Sequence, residues 1–130
     1  MRNKNGLIGL VLALGIVTST APSAQAHGTI TNTNPKQGST ISKMPPMVWM
    51  EFDGNLIDIA KKQSNFMIIK DSKGKVLDDG HAFVGGARLN VKIKNLLATG
   101  KITVDWRAVS EDGHPIKGSY SFTVSSKAKS

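Results

Sequence analysis

The 130-residue chain contains no cysteine. Disulfide staples are therefore excluded even in an oxidising compartment, so stability must come from packing. Thiolate metal ligands are excluded with them, which removes Cys-based metal carriers and blue-copper centres and leaves nitrogen, oxygen and thioether donors. Aromatic residues are scarce: two Trp, one Tyr and four Phe. Nucleic-acid binding usually needs basic patches interleaved with aromatics, and here the lysines are dispersed, so they read as a solvated surface with weak attraction to anionic lipids as the lesser alternative. There is no internal repeat or low-complexity tract. Long apolar runs are also missing apart from Leu7–Val17, which is too short to span a bilayer comfortably.

That one run has the setting of a secretory signal. Arg2 and Lys4 precede it, and Ala24-Gln25-Ala26 supplies the small residues of a cleavage site. The expected organisation is a signal peptide over residues 1–26 and one soluble domain over 27–130, exported to the periplasm. The formal charge is +8, of which Arg2 and Lys4 contribute two, leaving +6 for residues 27–130.

Cleavage after Ala26 makes His27 the first residue. A free N-terminal histidine offers the α-amine and ring Nδ1 to one ion, and both nitrogens can be deprotonated by a divalent metal near neutral pH. Among common divalent ions Cu(II) best suits a flat nitrogen-rich arrangement.

From His27 onward the apolar pattern has no helical period. Short β-rich runs alternate with Gly, Pro, Asn and Asp: Thr29–Thr33, Met47–Phe52, Phe66–Lys70, Lys75–Leu77, Arg88–Ile93, Ile102–Val109 and Ser119–Val124. About seven strands at this spacing predict an all-β antiparallel sandwich. Gly54–Ser64 is the only room for a helical turn. Met50 and Met67 read as core-packing residues, and Met47 and Met50, three positions apart, face opposite sides of an extended strand, which argues against a thioether Cu(I) site at Met44, Met47 and Met50. Trp49 and Trp106 read as buried or partly buried strand residues.

Ser110-Glu111-Asp112-Gly113-His114-Pro115 lies between the last two runs. Gly113 lets a turn present Asp112 and His114 toward one point, where a carboxylate and an imidazole suit a transition metal; an ordinary surface turn is the alternative. Asp78-Asp79-Gly80-His81 has the same residue types and reads as an exposed loop histidine. A sandwich brings His27 near the Asp112–His114 loop only if topology puts both at one end.

Taken together, His27-Gly28-Thr29-Ile30, Asn34-Pro35 with Gly38, Val48–Phe52, Thr103–Pro115 and Gly118–Val124 resemble the CopC family of exported copper-binding proteins, over nearly all of residues 27–130. The resemblance implies a seven-stranded Greek-key, Ig-like β-sandwich that is not an enzyme. It implies one Cu(II) held by both nitrogens of His27, by Asp112 and by His114, and a CopD-type inner-membrane partner. There are departures. Gly28 stands where members commonly have Ala, Phe52-Asp53-Gly54 replaces a common Phe-Ser-Glu, and a Met-rich loop that binds Cu(I) in some members is missing between Lys75 and Arg88. Two other readings compete: a copper redox enzyme, since a histidine chelate of this kind resembles the centre of polysaccharide monooxygenases, and a metal-free sandwich that only recognises another protein.

Overall fold

A computed structural model describes residues 28–59 and 63–126. His27 and the signal reading of residues 1–26 lie outside the described residues, as do the tail at 127–130 and positions 60–62. Among the described residues eight strands run in chain order: β1 (Ile30–Asn34), β2 (Thr40–Ile41), β3 (Met47–Phe52), β4 (Phe66–Lys70), β5 (Phe83–Gly85), β6 (Arg88–Lys92), β7 (Gly100–Val109) and β8 (Pro115–Val124). They form two four-stranded sheets, ordered β1-β3-β6-β5 and β2-β8-β7-β4.

The all-β sandwich expected from the run spacing is what the chain adopts. Met47–Phe52 and Phe66–Lys70 fall where the β-rich runs put them, with Val48, Met50 and Phe52 pointing inward from β3 and Met67 and Ile69 from β4. Facing them are Leu89 and Val91 from β6, Ile102, Val104, Trp106 and Ala108 from β7, and Tyr120, Phe122 and Val124 from β8. Met50 and Met67 are core residues, as is Met44. Trp106 packs edge-on against Phe52 with ring centroids 5.6 Å apart, while half-buried Trp49 carries the Arg88 guanidinium 3.8 Å above its ring.

Some details differ from the sequence expectation. Lys75–Leu77 is not a strand: only an isolated bridge joins Val76 to Lys70, and Leu77 turns inward between Ile69 and Lys94. Phe83–Gly85 and Thr40–Ile41 do pair, and β2 lies parallel to β8, so the second sheet is not wholly antiparallel. β8 begins at Pro115 and pairs with β7 along ten residues. No helix forms among the described residues of 54–64; this segment is a strap, tied by the Leu56–Ser110 bridge and by Ile57 N–H donating to Val109 C=O at 2.9 Å.

The strap defines one end of the sandwich. Leu56 also donates its amide to Gly86 C=O, so the β5–β6 turn, the end of β3, the start of β1 and the β7–β8 loop share that end. The opposite end holds Met47, Lys92, Gly100 and Val124. β7 spans the distance between them, about 30 Å at roughly 3.3 Å per residue.

Candidate metal centre

The loop joining β7 to β8 is built around Ser110. Its side chain is buried, and its amide and carbonyl close the hairpin: the amide donates to His114 C=O at 3.2 Å and the carbonyl accepts from Gly113 N–H at 2.8 Å. Gly113 has φ of 87°, a left-handed turn that glycine adopts without a Cβ penalty. Asn65, buried beneath the loop, accepts from Val109 N–H at 2.8 Å and donates to Ile57 C=O at 2.8 Å, which holds the end of β7 to the strap. Arg107 donates to Ser64 C=O at 2.6 Å beside it.

On this support the loop brings Asp112 and His114 together. Asp112 Oδ1 accepts from the Ser110 hydroxyl and from His114 N–H at 3.0 Å, and Oδ2 lies 3.3 Å from His114 Nδ1. The Ser110 hydroxyl, then the His114 amide and ring, hold the Asp112 carboxyl down at about 2. Asp112 is thus an anionic oxygen donor throughout the physiological range. The side chains are 46% and 82% exposed for Asp112 and His114, so a metal can reach both without opening the core.

The start of the described chain runs beside this loop. A Cβ on Gly28 would lie 3.3 Å from Cδ1 and Cγ2 of Ile116, two residues after His114. Thr29 C=O accepts from Asp53 N–H at 3.0 Å, and Thr29 N–H points at the Asp53 carboxylate at 3.4 Å. The Asp53 carboxylate of Phe52-Asp53-Gly54 therefore lies beside the chain entering from residue 28. His27 itself is outside the described residues.

Elsewhere, Asp79 Oδ1 accepts from His81 N–H at 2.9 Å, a turn like that at Asp112, but His81 is exposed and Asp78 is committed to the amides of Ile69 and Gly80. Among the described residues no group of three or more His, Cys, Asp or Glu is placed to hold a metal. The role of Ser110 was not read from the sequence, although a hydroxyl two residues before an Asp-Gly is a recognisable signal for a local side-chain bond. Asn65 gave no such signal, since its partners are distant in sequence.

This architecture is that of the β-sandwich proteins associated with copper resistance. The crystal structure of CopC from Methylosinus trichosporium OB3b superposes with a TM-score of 0.65 at 26% identity, over 76% of this chain and 94% of that one. The crystal structure of PcoC, a methionine-rich copper resistance protein from Escherichia coli, gives 0.61 at 25%, over 76% and 99%. In sequence, copper resistance protein C of Escherichia coli is 30% identical over 121 residues, 88% of this chain and 94% of that protein. Residues 30–125 match the CopC domain, and the chain belongs to the CopC family.

Proposed function

We propose that this chain is an exported copper-binding protein of the copper-resistance type that takes up one Cu(II) through the α-amine and Nδ1 of His27 with Asp112 and His114. Membership of the CopC family and the names of its copper-resistance relatives support the copper role. The observation that carries the ligand assignment is Gly28 seated on Ile116, beside the loop where Asp112 and His114 already stand together. The chain emerging from Gly28 starts within a few residues' reach of both side chains.

Chemically the assembly favours capture over turnover. Two nitrogens in one chelate ring, a third from His114 and an ionised Asp112 match the donor preference of Cu(II), and the negative charge of Asp112 disfavours reduction to Cu(I). Ser110 and the His114 amide hold Asp112 in place before the ion arrives, so that carboxylate needs little reordering on binding. In this reading the domain buffers or sequesters the ion in the periplasm or hands it to a CopD-type membrane protein.

The test is a competition titration with Cu(II) on protein recovered from the exported fraction, with its start verified by mass spectrometry. His27→Ala and His114→Ala are expected to weaken binding at least 100-fold while circular dichroism stays unchanged. A single Gly added before His27 should do the same by displacing the amine. Unaltered affinity in both histidine variants would overturn the proposal.

A further inference from the structure

The end of the sandwich opposite the Asp112–His114 loop carries features that metal binding does not use. Leu97 is 90% exposed, and Leu96 and Val76 are about half exposed. They meet in a shallow depression with Leu77, Lys75 and Lys94. The side chains sit on the loop leading into β7 and on the segment after β4, so together they form the tip of this end.

The charge around this tip is net positive. Lys43, Lys73, Lys75, Lys92, Lys94 and Lys101 are all exposed at this end, and Lys70 adds a seventh cation that is paired with Asp105 at 3.4 Å. The acids here are Asp71, Asp78 and Asp79. Asp78 is buried and bonded to the amides of Ile69 and Gly80, and Asp71 accepts the amides of Lys73 and Lys75. The far end is mixed instead: Glu51 is paired with Arg88 at 3.2 Å, and Asp53, Asp58, Glu111 and Asp112 share that end with Arg107 and Lys117.

We infer that this end docks on an anionic lipid bilayer, with Leu96 and Leu97 entering the headgroup region and the surrounding lysines facing lipid phosphates. The charge complementarity selects lipid. Protein interfaces are enriched in aromatics and Arg and depleted in Lys, whereas every cation here is Lys and no aromatic residue joins the tip. Lysines within a Debye length of an anionic surface each strengthen binding about fivefold, and exposed leucines add burial. Docked this way, the protein holds the Asp112–His114 loop about 30 Å from the bilayer along the length of β7. The inference stands on surface residues alone and is independent of the copper assignment.

Because the chain lacks cysteine, Leu97→Cys provides a single labelling position. Exported protein carrying an environment-sensitive dye at that position is mixed with phosphatidylglycerol vesicles and with phosphatidylcholine vesicles, and Lys117→Cys serves as the far-end control. Emission is expected to shift to the blue at position 97 on phosphatidylglycerol only, with no shift at 117. In sedimentation of the unlabelled protein, Leu96→Ser with Leu97→Ser should lower partition at least tenfold, and Lys73→Gln, Lys75→Gln and Lys94→Gln together about 100-fold. These positions are exposed, so the variants should keep their circular dichroism. The inference is overturned by equal shifts at 97 and 117, by no shift on either lipid, or by a shift that requires membranes containing protein, which would mean a protein partner.

Discussion

Ser110 and Asp112 show how a neutral side chain sets the charge of a ligand. The Ser110 hydroxyl is the largest cause of the low Asp112 pKa, near 2 against an ordinary 3.8. In Ser110→Ala the carboxyl is expected to titrate closer to 3.8, followed by NMR of the Asp112 side chain. Because the folded value lies below the unfolded one, the ionised carboxylate contributes stability above about pH 4 that is lost as pH falls toward 2. A second residue-scale prediction concerns Gly118, where a Cβ would come within 2.8 Å of Trp106 Cζ2. Gly118→Ala should force the indole off its seat against Phe52 and cost about 1–3 kcal/mol in urea unfolding. Much at this scale was legible beforehand. Met50 and Met67 read as core residues from their β-rich runs, and Asp-Gly-His announced a turn that offers two donors. The anchoring by Asn65 was not, because its partners Ile57 and Val109 are brought to it by tertiary structure alone.

Among the elements, the long strands could be read and the short ones could not. Met47–Phe52 and Phe66–Lys70 are β-rich apolar runs of six and five residues, long enough to be read as strands. β2 has two residues and β5 has three, too few for any periodicity, and each exists because a neighbouring strand offers a free edge. Lys75–Leu77 shows the converse: its composition suits a strand, yet Val76 faces outward and only Leu77 is drawn inward. The β7–β8 hairpin itself rests on the left-handed Gly113. A Cβ there would meet nothing within 4 Å, so Gly113→Ala isolates the backbone cost. A loss of about 1–2 kcal/mol is expected in denaturant unfolding, with weaker Cu(II) binding because Asp112 and His114 flank the altered turn.

At the scale of the whole molecule, cohesion depends on the apolar layer between the sheets, since no cysteine is available to staple it. Tyr120, the only tyrosine, reports on that layer. Burial pushes its hydroxyl up to about 12. The folded protein should therefore show phenolate absorbance near pH 12, where an unfolded chain shows it near 10. Because the folded value is the higher one, the stability that the neutral phenol contributes is complete below about pH 10 and disappears as pH rises through 12. Phenolate appearing at pH 10 while circular dichroism remains native would contradict the burial. The sandwich class was legible in the spacing of the runs; the approach of Gly28 to the β7–β8 hairpin was not, since only topology brings Gly28 to Ile116.

β2 covers only the last two residues of β8, Thr123 and Val124. Along Pro115–Tyr120 no strand among the described residues pairs with the side of β8 away from β7. A bare ladder of this kind invites another copy to add on and start a fibril. Pro115 lacks an amide hydrogen to offer and Lys117 places a charge on the margin, so this uncovered segment discourages stacking through its own composition.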